Sequence, residues 1–408
     1  MKQIAILGLM ANMVLPMVSA EVVRQSSYYP EGNAFVCVNG NNRYTRALYG
    51  STAEWRVETS DRPIFATYKK NQTGNIRFRI SDGRQTMWLD EAEYCKASYE
   101  AGRRDYLLKD KRWDMGELIV SLLAFHDAEG AIWRFTARGF GAGKMKVEAI
   151  LSETAVPKPT RSGDIGSFLK PGTFEPAASQ TAVLGSVSKS FPAARSSRLS
   201  RFSRFSHSSS SSEQIFYFSV DGANRLSAAE NAQMQPLFDA AETWRNKLAS
   251  SVVFKTPDAY INTVGGALVM AADGAWDGKV WQHGAVGWRM SLPGWRGAYM
   301  GDFLGMQDRQ RIHFDAYAKS QVTDVPVTEP HLMDAKNNQA RGTYKWGTPM
   351  YSNGYICRNP EKNHQFHHYD MNLVYIDELL WHFQFDADTA YMRKMWPVIK
   401  SHLAWEKQ

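Results

Sequence analysis

The first half of the chain shows a period-two pattern of apolar and polar residues. Within residues 53–58 and 76–80, apolar side chains alternate with glutamate and arginine, which is typical of half-buried antiparallel strands. Residues 118–125 are apolar on both faces and predict a central strand. Many short strands separated by turn-forming residues favour a β-sandwich. We therefore assign residues 21–220 to an antiparallel β-sandwich domain.

A serine- and arginine-rich segment at about residues 186–212 interrupts this pattern. Arginine recurs at every third position from Arg195 to Arg204, a spacing that could align charges for RNA or for acidic glycans. The segment has too few apolar residues to form a core, so we favour a disordered insert. Residues 215–220 again have the pattern of a strand. The insert should therefore interrupt the sandwich rather than end it.

In the second half of the chain the spacing of apolar residues changes to that of helices. The pattern predicts helices over residues 227–248 and 298–319, and the pair Thr256-Pro257 predicts the start of another helix. Near the C-terminus, Asp370 and Asp388 are suitable N-caps for two more helices, which are joined by only a few residues. These two final helices should form an antiparallel hairpin.

The N-terminus has the features of a signal peptide. Lys2 precedes an apolar run, and the run ends in the small residues Val18-Ser19-Ala20. Residues 1–20 are therefore predicted to be cleaved on export, which places the protein in the periplasm or outside the cell. No later apolar stretch is long enough to span a membrane, so we expect no membrane partner after cleavage.

The positive charge of the chain is concentrated in two places. The 408 residues carry a formal net charge of +7, which on its own suggests a nucleic-acid partner. Lys2 contributes one of these charges, and the segment 186–212 contributes five. The rest of the chain is therefore nearly neutral, so we expect neither a nucleic-acid groove nor a polybasic membrane face.

The chain has three cysteines, an odd number for an exported protein. We expect one disulfide, between Cys37 and Cys95 within the sandwich, which would leave Cys357 free. No C-x-x-C spacing is present, so the sequence does not support a metal site built on cysteines.

Residues 276–302 form the densest unusual stretch, in which tryptophans are interleaved with glycines and polar residues. Aromatic faces stack on the apolar faces of sugar rings, and polar side chains can bond the hydroxyls around the rim. The alternative is that the tryptophans fill the core of a helical domain. The residues that we expect to bind a sugar are Trp281, His283, Trp288, Trp295, Arg296, Asp277 and Asp370.

Glycoside hydrolysis requires two carboxyl groups that face each other across a cleft. Asp302 directly follows the aromatic stretch, at a predicted junction between loop and helix, and it is our candidate for the catalytic acid. Asp273, Asp277 and Asp370 are candidate partners. The alternative for each of these aspartates is a helix cap or a solvated position on the surface.

A group of histidines precedes the C-terminal hairpin. His364, His367, His368 and Asp370 have a spacing that a zinc site could use. However, the residues around them are typical of a loop, and no H-E-x-x-H motif is present. We favour substrate hydrogen bonding or helix capping for this group, and we expect neither a metal nor another cofactor.

Three segments give the chain a resemblance to a known family. They are TPDAYINTVGGALVMAADGAW at 256–276, HGAVGWRMSLPGWRGAYMGDF at 283–303, and the C-terminal hairpin. Together with the order of sandwich and helices, they resemble the six-hairpin glycosidase superfamily. The chain looks most similar to secreted bacterial proteins of uncharacterised function that are encoded with polysaccharide-degrading enzymes, and it is more distantly similar to α-L-rhamnosidases. Those enzymes place a catalytic acid before G-W-x-G-D, which Gly294–Gly297 and Asp302 match only in part.

The resemblance implies a multidomain protein in which an all-α (α/α)6 toroid follows the sandwich, over residues 221–408. A complete toroid has twelve helices, which at mean helix and loop lengths need roughly 220 residues. The segment is shorter, and its pattern predicts about five helices. We therefore expect a truncated toroid that lacks a later catalytic base. The alternatives are a fragment, a frameshifted gene or a split subunit that a separate chain would complete.

These features give three hypotheses of function. The first is a secreted glycoside hydrolase of polysaccharide degradation, which would cleave an oligo- or polysaccharide by acid/base hydrolysis and which truncation would inactivate. The second is a carbohydrate-binding protein without catalytic activity. The third is a polysaccharide lyase that uses tyrosine and histidine as base and acid, with arginine neutralising a uronate.

Overall fold

The structure is a computed structural model of the chain. Its described residues contain eighteen strands and seven α-helices, and the predicted signal peptide lies outside them. The described ranges are 27–49, 54–69, 72–81, 85–113, 116–140, 146–152, 179–183, 186–189, 213–229, 231–283, 290–294, 297–325, 352–360 and 371–407.

All but two of the strands belong to the N-terminal half of the described chain. In chain order they are β1 (Tyr29–Glu31), β2 (Ala34–Val38), β3 (Tyr44–Tyr49), β4 (Trp55–Ser60), β5 (Ile64–Lys69), β6 (Gln72–Ser81), β7 (Thr86–Trp88), β8 (Tyr94–Glu100), β9 (Arg103–Lys109), β10 (Glu117–Ala124), β11 (Gly130–Arg138), β12 (Lys146–Ser152), β13 (Ser179–Val183), β14 (Ser186–Lys189), β15 (Glu213–Asp221), β16 (Leu226–Ala229), β17 (Gln282–His283) and β18 (Met290–Ser291).

Sixteen of these strands form two antiparallel sheets. The first sheet has the order β1-β2-β8-β9-β10-β11-β15-β16. The second has the order β14-β13-β12-β6-β5-β4-β3, and β7 pairs with β6 beside this path. The predicted central strand at residues 118–125 is confirmed as β10, because it pairs with β9 on one side and with β11 on the other.

The first sheet is completed by a strand that follows the serine-rich segment. β15 pairs with β11 along its whole length, which confirms that the sandwich continues beyond this segment. The first four residues of the predicted disordered insert form β14, which pairs with β13 at the edge of the second sheet. Residues 190–212 lie outside the described ranges, and so does that part of the disorder prediction.

The inner faces of the two sheets enclose one aromatic core. Trp133 on the first sheet is fully buried, and its ring centroid lies 5.4 Å from that of Phe65 and 5.8 Å from that of Phe78 on the second sheet. Phe78 also packs on Phe135, with the centroids 4.9 Å apart. Burial of such rings is the largest stabilising contribution available to this half of the chain.

The helices follow the sandwich. They are α1 (Asn231–Ala249), α2 (Ala259–Asn262), α3 (Val264–Asp273), α4 (Gly297–Phe303), α5 (Gln307–Ala318), α6 (Met371–Asp386) and α7 (Thr389–Glu406). The predicted helix at residues 227–248 begins later than expected, because residues 226–229 pair with β15 as β16.

The prediction of an (α/α)6 toroid, truncated or complete, is wrong. The described residues hold seven helices, and two of them, α2 and α4, are only four and seven residues long. The first long helix does not start a ring of hairpins. Instead, α1 packs on the outer face of the first sheet, where Phe238 and Met234 bury against Ile132 and Tyr217. The apolar stripe of α1 is therefore used to cover the sandwich.

Two further helix predictions can be compared with the structure. The final hairpin is confirmed, with α6 and α7 joined at Asp388, whose side chain accepts hydrogen bonds from the backbone N–H groups of Ala390 and Tyr391. The single helix predicted for residues 298–319 is divided into α4 and α5. Gly305 adopts a φ of +76° between them, a conformation that ends a helix and that other residues rarely adopt.

The buried face of α6 is more polar than its sequence suggests. The apolar positions that predicted this helix include Leu373, which is 52% exposed, and Leu380, which is 41% exposed. Asn372, Glu378 and His382 are instead buried. Buried polar side chains require hydrogen-bond partners, so this face of α6 is organised around polar contacts.

The cysteine prediction is wrong, because Cys37, Cys95 and Cys357 are all free and buried. Cys37 pairs with Ala97 across the ladder between β2 and β8, so Cys95 lies two positions further along. Such diagonal neighbours are about 7–8 Å apart, which is longer than a disulfide spans. No helix in the described part of the chain is long and apolar enough to cross a membrane.

The helices dock closely on the sandwich through Gly274, at the end of α3. A Cβ atom built on Gly274 would lie 2.3–2.8 Å from three atoms of the Tyr49 ring. We expect Gly274→Ala to reduce the free energy of unfolding by about 1–3 kcal/mol through overpacking, measured from urea midpoints. Adding Tyr49→Ala should cancel most of the overpacking penalty. If Gly274→Ala alone has the wild-type urea midpoint, Gly274 does not pack against Tyr49 in this way.

Candidate functional site

Asp302, the predicted catalytic acid, lies inside the helical region. It is on α4 and is 7% exposed. Its two carboxylate oxygens lie 2.9 and 3.1 Å from Nδ1 of His382 on α6, and Nδ1 must be the donor because an ionised carboxylate only accepts. Nε2 of Gln310 donates a third hydrogen bond, at 3.3 Å. The carboxylate is therefore held by neighbours rather than open to a cleft.

His382 lies between Asp302 and a second carboxylate. Its Nε2 lies 3.5 Å from Oδ2 of Asp386, one helical turn further along α6. Arg311 on α5 donates to Asp386, and it also contacts Asp388 at 2.8 Å. A carboxylate pair thus exists near Asp302, but a buried imidazole lies between its two members. Such an arrangement holds α4, α5 and α6 together and leaves no space for a sugar between the carboxylates.

Trp281 is part of the core rather than of an aromatic platform. It is 2% exposed, its Nε1 donates to Oε1 of Gln310 at 2.6 Å, and its backbone N–H donates to Nδ1 of His313 at 3.1 Å. Burial lowers the pKa of His313 to about 3, so this imidazole is neutral and can accept the bond. Trp276 packs edge-on against Trp281. The structure therefore does not support a sugar subsite at Trp281.

Asp277, another of the predicted sugar-binding residues, shapes a loop. Its Oδ1 accepts hydrogen bonds from the backbone N–H groups of Lys279 and Val280, and its Oδ2 accepts one from Gln282. His283 is half-buried in the short strand β17. The remaining predicted sugar-binding residues lie outside the described ranges, and these are Trp288, Trp295, Arg296 and Asp370.

The proposed histidine cluster cannot be placed either. His364, His367 and His368 fall within 361–370, which the structure does not describe. Among the residues that it does describe, no group of three or more histidine, cysteine, aspartate or glutamate side chains could hold a metal ion.

A cavity of about 440 Å³ lies where the first helices meet the sandwich. We call it the junction cavity. Strands β2, β3, β8 and β10 contribute one wall, and helices α1, α3 and α5 contribute the other. Its volume is within the range of roughly 300–1,000 Å³ that is usual for small-molecule sites. Its aromatic lining residues are Phe35, Tyr49, Tyr99, Phe125 and Trp244.

Arg46 lines the junction cavity without an acidic partner. Its Nη1 donates to the carbonyl of the preceding residue, Thr45, at 2.7 Å. Its guanidinium lies 5.3 Å from the ring centroids of Tyr28 and Tyr99 and 5.9 Å from that of Phe35. Burial, together with the charge of Arg104, lowers the pKa of Arg46. No described carboxylate forms an ion pair with it, and its contacts within the described residues are with aromatic faces and one carbonyl.

Arg245 is a second arginine that lines the junction cavity. It is 6% exposed, and its Nη1 donates to the backbone carbonyls of Glu100 and Ala101 at 2.9 and 3.3 Å. Nη2 donates to the side chain of Asn246. Its Nε has no acceptor among the described residues, and burial lowers the pKa of the guanidinium. This Nε is a buried donor that is not used within the described part of the protein.

The remaining charged groups of the junction cavity are paired or half-buried. Asp273 and Arg309 form an ion pair of 2.7 Å. Burial raises the pKa of Asp273, although the charge of Arg309 acts against this rise. His126 packs on the ring of Trp244, with the centroids 5.7 Å apart. The wall therefore combines aromatic surface with hydrogen-bonding groups of positive and of negative charge.

Neither His382 nor the junction cavity was predicted from the sequence. The spacing of His382 and Asp386, four residues apart on one helix, is the local signal that could have indicated a paired imidazole. The junction cavity has no such signal, because its lining comes from seven strands and helices that are distant in sequence.

The comparisons with known proteins concern the sandwich. Residues 71–175 match a family that is described as a domain of unknown function, DUF4450. This segment covers less than half of the chain and includes none of the helices. No curated protein matches the chain. A proposal of function therefore depends on the geometry of the site.

Proposed function

We propose that the protein binds a carbohydrate in the junction cavity and does not hydrolyse it. The observation that carries this proposal is the composition of the cavity wall, which brings five aromatic side chains together with arginine, histidine and aspartate groups. Sugar rings have apolar faces that stack on aromatic rings, and their hydroxyls need donors and acceptors at the rim. An oligo- or polysaccharide end is the ligand that such a wall fits.

Trp244 is the residue that we expect to contribute most to this binding. It is half-buried on α1 at the wall of the cavity, so part of its ring is open to a ligand. The ring is held from one side by His126. A fixed and partly exposed indole provides a large stacking surface at a low cost in conformational entropy.

Hydrolysis is the less favoured function because of where the carboxylates lie. The cavity wall contains one described carboxylate, Asp273, which is paired with Arg309, whereas glycoside hydrolysis needs two facing groups. Asp302 and Asp386 are separated by the imidazole of His382. Glycosidase activity stays a prediction of the sequence that these contacts do not support.

The proposal also includes the location of the protein. The predicted signal peptide at residues 1–20 would bring the protein to the periplasm or to the outside of the cell. Oligosaccharides from polysaccharide breakdown are available there as ligands.

The test is calorimetric titration of the protein with a panel of neutral and acidic mono- and oligosaccharides. We expect saturable binding of at least one member, and Trp244→Ala should weaken it by about tenfold. Trp396→Ala is the matched control, because Trp396 is 53% exposed on α7 and lies outside the cavity lining. It should leave the affinity unchanged.

The same samples are then assayed for reducing ends. Binding without release of reducing sugar supports the proposal. Release above the level of a heat-inactivated sample would show that the protein is an enzyme. Absence of binding across the whole panel would refute carbohydrate recognition.

A further inference from the structure

We infer that the exposed face of α4 and α6 is the contact surface of a symmetric dimer, in which it packs on the same face of a second copy of this chain. We call this face the α4–α6 surface. It consists of Met300 and Phe303 on α4 and of Leu380, Trp381 and Phe385 on α6. Dimer formation through this surface is independent of carbohydrate binding.

The five side chains of the α4–α6 surface are neighbours. At about 100° per residue, the exposed positions of α6 fall within an arc of about 140°, and these positions are Leu373, Asp377, Leu380, Trp381, Gln384 and Phe385. Two contacts hold α4 beside this arc. The hydroxyl of Tyr299 donates to the carboxylate of Asp377, and the ring centroid of Phe303 lies 4.4 Å from that of Phe385. Trp381 is one helical turn from both Asp377 and Phe385, so it lies at the centre of the surface.

The area of the α4–α6 surface is close to what a dimer requires. Its five side chains are each between 38% and 63% exposed. With about 150–250 Å² for a whole aromatic side chain and less for leucine and methionine, they present on the order of 400 Å² of apolar surface. A contiguous apolar patch of this size on a soluble protein marks an interaction site. A standard interface buries about 800 Å² on each partner, of which about 65% is apolar in homodimers. The surface therefore supplies most of the apolar area of such an interface.

The charge of the α4–α6 surface favours a second copy as its partner. Among the exposed positions of α4 and α6 that the structure describes, Asp377 is the only charged residue, and its carboxylate already accepts a hydrogen bond from Tyr299. In a two-fold interface the same patch of both copies comes together, so residues near the axis meet their own counterparts. Two α4–α6 surfaces meet in this way without repulsion between like charges.

The exposed face of α7 provides a contrast. Trp396 and Leu403 are exposed there, but so are Arg393, Lys394 and Lys400. Two such faces would bring like charges together in a symmetric contact. Single apolar residues among charged ones are normal on a protein surface and need no partner. The α4–α6 surface differs because its apolar side chains are contiguous and no basic side chain interrupts them.

The dimer would have a consequence for ligand binding. None of the five residues of the α4–α6 surface lines the junction cavity, so each copy keeps its own cavity. Under the proposed function, a long polysaccharide that reaches both cavities would be bound with a higher apparent affinity and without new contacts.

The experiment measures the oligomeric state of the full chain by sedimentation velocity over a range of protein concentrations. We expect a reversible equilibrium between monomer and dimer, with a dissociation constant in the micromolar range or lower. Trp381→Lys should raise this constant at least about tenfold, because it removes the central aromatic side chain and places two like charges near the axis. Trp396→Lys is the matched control, since it makes the same change at an exposed tryptophan of α7. It should leave the dissociation constant unchanged.

Mixing two variants tests whether the partner is the same face of a second copy. Trp381→Lys and Trp381→Glu should each be monomeric on their own. An equimolar mixture should recover dimers that contain one chain of each kind, because a lysine then lies near a glutamate across the axis. If the position 381 variants do not fold, which far-UV circular dichroism would show, Phe303→Ser removes the most exposed ring of the surface from α4 instead.

Three results would overturn the dimer. The first is a wild-type chain that stays monomeric at about 100 μM, well above the expected dissociation constant. The second is a dimer that Trp381→Lys or Phe303→Ser does not weaken, and the third is equal weakening by Trp396→Lys. Each of these results leaves the sugar titrations of the junction cavity untouched, so failure of the dimer and failure of carbohydrate binding are observed separately.

Discussion

Replacing His382 with alanine should destabilise the helical region by about 3–5 kcal/mol, the usual effect of leaving a buried carboxylate without its partner. Both oxygens of Asp302 contact Nδ1 of His382, and Asp302 is almost completely buried. The substitution would leave this carboxylate with one described donor, Gln310. It would also open a cavity between α4 and α6. Urea unfolding and hydrogen exchange of the α4 and α6 amides would measure both effects.

A second variant separates the charge from the cavity. In the Asp302→Asn variant, position 302 carries no carboxylate that could lose its partner. His382→Ala should therefore reduce the free energy of unfolding less in this variant than in the wild type. The effects of the two substitutions should be strongly non-additive. Leu373→Ala is the control on the same helix, because this side chain is half exposed, and we expect a change within about 0.5 kcal/mol. Additive effects of the first two substitutions would show that Asp302 and His382 are not coupled.

Replacing Trp133 with alanine should destabilise the sandwich by a similar amount, about 3–5 kcal/mol. The ring is fully buried between the sheets and contacts Phe65 and Phe78. Its removal would leave a cavity that two paired sheets cannot close by small movements. The change would be measured as a shift of the urea midpoint, followed by far-UV circular dichroism at a wavelength dominated by strands.

The phenylalanine variant provides the contrast. Nε1 of Trp133 has no acceptor among the described residues, so Trp133→Phe removes a donor that contributes no bond within this part of the chain. We expect it to cost less than about 2 kcal/mol. Trp396→Ala, at an exposed position on α7, should change the midpoint little. A large effect of Trp133→Phe would imply that the indole N–H has an acceptor after all.

The sandwich was predictable because its signal is local. A strand that has one buried face must alternate apolar and polar residues, and β6 shows this in its own sequence. A central strand is apolar on both faces, as in β10. The return of the pattern at residues 215–220 was enough to predict β15. Which strand β15 pairs with was not predicted, because partners in a sheet are chosen by contacts between distant segments.

The helices show where such local reasoning fails. Apolar residues on α6 predicted a helix correctly, yet Leu373 and Leu380 face outward and His382 faces inward. A helix buries the face whose partners are available, and a paired histidine can replace an apolar residue there. The toroid was implied by the resemblance of three segments to a known family, whereas α1 uses its apolar stripe on the sandwich.

The site was the least predictable part. Trp281 and Asp302 are close in sequence and were expected to share a cleft, but both are buried in one helical core with Gln310 between them. The residues of the junction cavity belong to no motif, because they come together only after the helices have packed on the sandwich. An unpaired charge is a property of the folded surroundings, and no spacing in the sequence encodes it.

The place of β15 in the first sheet has a consequence for biosynthesis. Until residues 213–221 have left the ribosome, β11 is an edge strand whose backbone groups are unpaired. The core around Trp133 is open on that side for the same period. The nascent chain therefore carries an adhesive sheet edge while the long serine-rich segment is being made. Chaperone binding to this edge during translation should therefore reduce aggregation of the nascent chain.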